Sequence, residues 1–215
     1  MVINTNVSAQ SSARLLSDSS NRLSKSLARL SSGSKIVSPE DDAAGMAVSM
    51  RFDAQINRIA AADANVGNAI SFSQTQDGFL QKVGKALDRM SELATLSQDV
   101  TKTDDDRTLY NQEFSQLQTY ITNISSKNFN GISLFTATTL TVTIDSDPDA
   151  TNGFDMTGIQ LGAGTSVATA IDTTTVDVTT TTNAIAALSL VKNAISELAT
   201  DRAQIGANIV RLNST

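Results

Sequence analysis

Residues able to do chemistry are scarce in this 215-residue chain and poorly placed for it. There is no Cys and no His, which removes zinc sites built on them, thiolate nucleophiles, disulfides and His-dependent triads together. Ser32-Gly33-Ser34-Lys35 has the spacing of a serine–lysine nucleophile pair, but it falls in a polar break between helical patterns without the companion motifs of such a centre. Asp145, Asp147 and Asp149 open like a calcium loop, which needs Gly at its sixth position and Glu at its twelfth. Ala150 and Met156 stand there instead, so the segment reads as a solvated acidic turn. Gly162-Ala163-Gly164 could begin a phosphate-cradling loop, yet Val167 takes the place of the third glycine. Asp104, Asp105 and Asp106 are explained by helix capping. No catalytic, cofactor-binding or metal-binding residue is expected, and the chain does not read as an enzyme.

What remains is the chemistry of packed surfaces. Hydrophobic residues make up 40% of the chain but aromatics only 4%, with no Trp. The apolar content is therefore mainly Ala, Val, Ile and Leu, which suits closely packed helices. From Asn4 to Ser32 a polar segment carries a thin stripe of Leu16, Leu23, Leu27 and Leu30, spaced 7, 4 and 3. Such a narrow seam wants a partner helix, and these four leucines are the candidate self-assembly residues. Ser31 to Ser34 break the pattern. Ser38 as cap, Pro39 at the first helical position and the acidic Glu40, Asp41 and Asp42 then start a second helix.

No proline follows before Asp99, and Ile56, Ile59, Val66, Ile70, Leu80, Val83, Leu87 and Met90 continue the seam, with Ser73 and Asp77 as polar interruptions. About sixty helical residues would span roughly 90 Å, which predicts a rod. Thr103-Asp104-Asp105-Asp106 caps another helix carrying Tyr110, Phe114, Leu117, Ile121 and Ile124. The last pattern, Leu188, Val191, Ile195, Leu198, Arg202, Ile205, Ile209 and Leu212, keeps strict 3/4 alternation and is interrupted at Arg202. Asn130-Gly131 and the alternating Leu140-Thr141-Val142-Thr143-Ile144 predict a hairpin with one face packed down. Between Thr136 and Thr182 there are 16 Thr, which predicts a small exposed β or irregular insert.

The net charge of −6 sits in one place: residues 128–191 hold six Asp and no Lys, Arg or Glu. With no basic cluster, nucleic acid is not an expected partner. No stretch approaches the roughly 20 apolar residues of a membrane span, so no membrane partner is expected, and nothing resembles a cleavable signal peptide. The expected architecture is mainly α: an elongated rod of long coiled-coil-like helices with a β-hairpin and a small Thr-rich insert. Its expected divisions are an N-terminal helix over 1–36, a helical rod with hairpin over 37–144, an outer insert over 145–182 and a returning rod helix over 183–215. Seams left open at both ends of a rod predict head-to-tail or lateral self-association.

The combined motifs resemble bacterial flagellin. They are the opening Val2-Ile3-Asn4-Thr5-Asn6; Arg29-Leu30-Ser31-Ser32-Gly33-Ser34-Lys35-Ile36 followed by Asp41-Asp42-Ala43-Ala44-Gly45-Met46-Ala47; Arg89-Met90-Ser91-Glu92-Leu93-Ala94; Asn128-Phe129-Asn130-Gly131; and Arg202-Ala203-Gln204-Ile205-Gly206-Ala207-Asn208. They cover residues 1–135 and 183–215. The resemblance implies a secreted, extracellular filament subunit for motility, exported unfolded by the flagellar apparatus and polymerised with other copies through its terminal helices. Alternatives are a hook–filament junction protein and a non-flagellar helical-bundle interaction protein. The resemblance further implies recognition by a toll-like innate receptor through Arg89, Leu93 and Glu113, with Ser91 and Thr95 to Gln98 departing from the commonest pattern. Flagellins continue beyond the equivalent of Thr215, so a truncated chain is expected here, with its first helix poorly anchored, no native polymerisation and the export chaperone's usual site missing.

Overall fold

The computed structural model describes residues 6–145 and 153–215. Val2 to Thr5 of the opening motif, and Asp147, Asp149 and Ala150 of the acidic turn, lie outside the described residues. The chain divides into two compact units, residues 1–58 and 59–215.

In the first unit, α1 (Val7–Ser32) begins where Asn6 accepts a bond from the Ala9 amide at 3.1 Å and ends at Gly33, whose φ of 68° is the left-handed conformation of a helix stop. The next helix, α2 (Ala43–Leu96), starts later than its sequence signals suggest. Ser38 and Pro39 form a turn closed by a bond from the Asp41 amide to the Ser38 carbonyl, and Asp42 does the capping, accepting from the Gly45 amide at 2.9 Å. Asp41 is unavailable as a cap because its nearly buried carboxylate is engaged by Lys25 and Arg29 of α1.

In the second unit, the later part of α2 packs with α3 (Asp104–Ser125) and α5 (Thr181–Asn213). α3 opens on the expected capping box: Thr103 and Asp106 satisfy each other's backbone N–H groups at 3.0 and 3.3 Å. Leu80, Val83, Leu87, Met90 and Leu93 from α2 meet Phe114, Ile121 and Ile124 from α3 and Val191, Leu198, Ile205 and Leu212 from α5 in one core. Buried Arg107 donates to the Ser97 and Asp99 carbonyls at 2.7 and 2.8 Å and to Asp104 at 2.7 Å, clamping the turn between α2 and α3.

The hairpin expectation needs correction, because there are two. β1 (Asn128–Phe129) pairs with β2 (Ile132–Ser133) around Asn130-Gly131, where φ values of 50° and 84° match the tight turn that suits hairpin twist. β3 (Leu140–Thr143) instead pairs antiparallel with β4 (Gly153–Met156), in the stretch assigned to the insert. Register explains the choice: Val142 lies opposite Phe154 and Leu140 opposite Met156, so apolar residues share one face. Gly158 follows at a point where a Cβ would collide with the Thr136 and Thr138 carbonyls, so the return is sealed by close backbone approach.

The insert is also less exposed than its composition suggests. Phe154, Ile159, Leu161, Val167, Ala170 and Val178 are all in the core, and the short α4 (Ser166–Ala170) lies on α5. Polar anchors hold it: buried Gln118 donates to the Ala170 and Val176 carbonyls at 3.3 and 3.0 Å, Asn111 accepts from the Val178 amide at 3.0 Å, and Glu197 accepts from the Ser166 amide at 2.5 Å. Apolar residues scattered among threonines without helical or strand period are enough to seat the segment, and periodicity cannot reveal them.

Candidate functional site

Two surfaces carry the predicted interaction residues. On α1, Leu16, Leu23, Leu27 and Leu30 are 73, 62, 56 and 81% exposed, and no residue of this helix is buried among the described residues. Spacings of 7, 4 and 3 place them on one face, so a continuous apolar stripe meets water. What secures α1 within its unit is electrostatic: Lys25 and Arg29, one turn apart, both engage Asp41. These contacts, with the Lys25 hydrogen bond foremost, pull the Asp41 carboxyl down to about 2. Sequence reading missed this trio. Its only signal was a basic pair four residues apart on one face, ahead of an acidic cap.

On the second unit, Arg89 of α2 and Glu113 of α3 come together as a two-pronged pair, Nε to Oε1 at 2.6 Å and Nη2 to Oε2 at 2.9 Å. The third prong, Nη1, reaches Glu92 at 2.6 Å. Hydrogen bonding to Arg89 lowers the Glu113 pKa, and the two carboxylates raise that of Arg89. Both side chains are a little under half exposed, so the patch is at once preorganised and accessible. Leu93 is not part of that surface. It is fully buried in the core, so of the three candidate receptor contacts only Arg89 and Glu113 reach the surface. The i, i+4 spacing puts the two residues on one side of α2 in successive turns, and the small angular offset between them carries Leu93 into the core while Arg89 stays at its edge.

The polar interruptions of the seams also resolve. Ser73 is buried and donates to the Ala69 carbonyl, Gln76 is buried and donates to the Leu134 carbonyl at 2.6 Å, and Asp77 points outward to Arg202 of α5 at 2.8 Å. Arg202 is therefore a surface tie and not the break in the α5 seam. The seam position, three after Leu198 and four before Ile205, belongs to Asp201. Partial burial, aided by the charge of Glu197, pushes its carboxyl up to about 6.

The serine, lysine and glycine spacings fall at the end of α1 and in turns. Ser32 donates to the Arg29 carbonyl, Ser34 donates to the Ile36 carbonyl, and Gly164 sits at φ 94° ahead of α4. Among the described residues no group of acidic side chains is arranged to hold a metal ion, and no helix is long and apolar enough to cross a membrane.

Comparison with known proteins identifies the family. The family model for the bacterial flagellin N-terminal helical region matches residues 3–140. The flagellar filament core protein flaB2 of Brachyspira hyodysenteriae is 33% identical over all of this chain and 79% of its own length. A flagellin of Halalkalibacterium halodurans is 33% identical over all of this chain and 78% of its own. Among solved structures, Bacillus cereus flagellin aligns with a TM-score of 0.59 and 25% identity, over 70% of this chain and 85% of that one. An open leucine stripe, a mainly helical bundle carrying short hairpins and a family match over well over half of the sequence converge: the chain belongs to the bacterial flagellin family.

Proposed function

We propose that this protein is a structural subunit of the bacterial flagellar filament, built into a homopolymer through the α1 stripe. The observation that carries the assembly reading is the row of Leu16, Leu23, Leu27 and Leu30, more than half exposed on a helix that buries nothing. An apolar stripe of this length is stable in water only when a neighbour covers it, and burying each leucine fully is worth about 1.5–3 kcal/mol. The subunit reaches the outside of the cell through the flagellar export apparatus and works there, in the extracellular filament.

The test is replacement of all four leucines by Ser in an epitope-tagged copy of this chain, expressed in a flagellated bacterium that keeps its own filament protein. The unsubstituted chain is expected to be incorporated into those filaments, seen by immunogold electron microscopy, and the variant to be secreted without incorporation. Equal incorporation of the variant would overturn this use of α1.

Recognition by a toll-like innate receptor is the second function, centred on the Arg89–Glu113 pair with Leu93 supporting it from the core. The preorganised, half-exposed guanidinium supports this reading. Arg89→Ala is expected to weaken reporter-cell stimulation, and equal or absent responses from both proteins would refute it.

A further inference from the structure

Between α2 and the second hairpin runs an open groove of about 470 Å³. Phe72, Phe129 and Met156 form its apolar floor, Phe72 and Phe129 in an edge-on ring contact at 5.9 Å, and Asn65, Asn68 and Asn130 supply amides at its margin. None of the residues lining it is charged, although 18% of the chain is. All four residues of β3, Leu140 to Thr143, border the groove in succession, whereas β4 contributes only Met156. Side chains of a strand alternate between two faces, so four consecutive residues border one space only where the strand turns its edge to it.

That edge is open. Among the described residues β3 pairs with β4 alone, and no further backbone bond reaches 140–143. In an antiparallel pair, alternate residues direct N–H and C=O groups away from the partner, so β3 offers hydrogen-bonding groups to the groove. Edge strands are ordinarily protected by charge, proline or a bulge. β3 reads Leu-Thr-Val-Thr in uninterrupted register and has none of these, while Ile132 on β2 stands 51% exposed at the groove's side.

We propose that this groove accepts an extended, uncharged peptide strand from a partner protein, which adds to the free edge of β3. Backbone bonds to β3 would supply affinity, alternate apolar side chains would settle on Phe72, Phe129 and Met156, and the opposite row would meet water. A charged occupant would lose hydration against walls that offer no counter-charge, which is the basis of selectivity. Four strand residues span about 13 Å, so a short segment is read and the contact is weak, at the low end of interface sizes. Nothing in this inference uses α1, so it stands apart from filament assembly.

The probe is an acetylated, amidated Thr-Val-Thr-Val-Thr peptide titrated into the isotope-labelled protein and followed by NMR. Saturable shifts are expected at residues 140–143 and at the Asn65 and Asn68 side-chain amides, with slowed amide exchange along β3. A peptide with Asp at its centre, and the exposed-residue variant Ile132→Lys, should each weaken binding about tenfold or more, with the variant's helical signal unchanged. Absence of saturable shifts, or shifts indifferent to both changes, would overturn the proposal. The same shifts produced by protein concentration alone would also overturn it, assigning the groove to a second copy of the chain.

Discussion

Asp201 sits where the α5 seam calls for an apolar residue, and the cost of placing it there can be worked out. Its carboxyl titrates near 6 in the folded protein against an ordinary 3.8, raised first by burial and then by Glu197 one turn earlier. A raised carboxylate pKa means that the folded state holds a proton the unfolded chain has released. Stability contributed by this residue is therefore greatest below about pH 4, falls as pH rises through the window from 4 to 6, and stays reduced above it. The displacement of about two pKa units sets a ceiling of about 3 kcal/mol at pH 7. Asp201 keeps part of its surface in water, and solvent screening lowers that to about 1–2 kcal/mol. Asp201→Asn removes the titration while keeping size and shape. Urea unfolding can be followed through the fluorescence of Tyr110 and Tyr120, the only two tyrosines in a chain without Trp, both on α3 of the same unit. The difference between variant and parent is expected near zero at pH 4 and to grow to about 1–2 kcal/mol in favour of Asn by pH 7. Taking the difference cancels the opposing titrations of Asp77 and Glu113, whose lowered pKa values favour the folded state as pH rises. A pH-independent difference, or an Asn variant less stable at pH 7, would show that Asp201 does not hold its proton in the folded state.

Other perturbations separate the remaining interactions. Phe114→Ala empties a fully buried site at the meeting of three helices and should cost about 3–5 kcal/mol, read from the urea midpoint. Gln118→Leu leaves the Ala170 and Val176 carbonyls without their donor inside the core, so about 1–3 kcal/mol is lost and amide exchange should quicken in 166–178 before the helices respond. Thr103→Ala breaks the capping box of α3, at about 1 kcal/mol by the same unfolding assay, with exchange of the Asp106 amide accelerated. Asp41→Asn removes the shared partner of Lys25 and Arg29, and exchange across the second half of α1 should accelerate at neutral pH. In the parent the same loosening should appear only as pH falls from about 4 towards the Asp41 value of about 2.

Helix existence and type were legible because local chemistry specifies them. Thr103 and Gly33 act through their own turns, and the 3/4 spacing of apolar residues identifies one apolar face on each long helix. The exposed leucine stripe on α1 is legible for the same reason: four leucines on one face need no knowledge of the rest of the chain. The charged contacts were not. Asp41 looked like one of three interchangeable acidic residues at a helix start until the fold placed Lys25 and Arg29 against it. The α5 seam runs through Asp201 and not Arg202, and apolar content cannot tell which of two adjacent polar residues faces inward.

Residue type and neighbours a few positions away account for the order of the four long helices, the tight turn at Asn130-Gly131, the leucine stripe on α1 and the exclusion of Cys and His chemistry. The three-dimensional fold alone pairs β3 with β4, seats the Thr-rich segment on the bundle through Gln118, Asn111 and Glu197, and places Leu93 in the core while Arg89 meets Glu113 outside it. Those outcomes join residues tens of positions apart, where the winning partner is chosen by shape, burial and unsatisfied hydrogen-bonding groups that no local window contains.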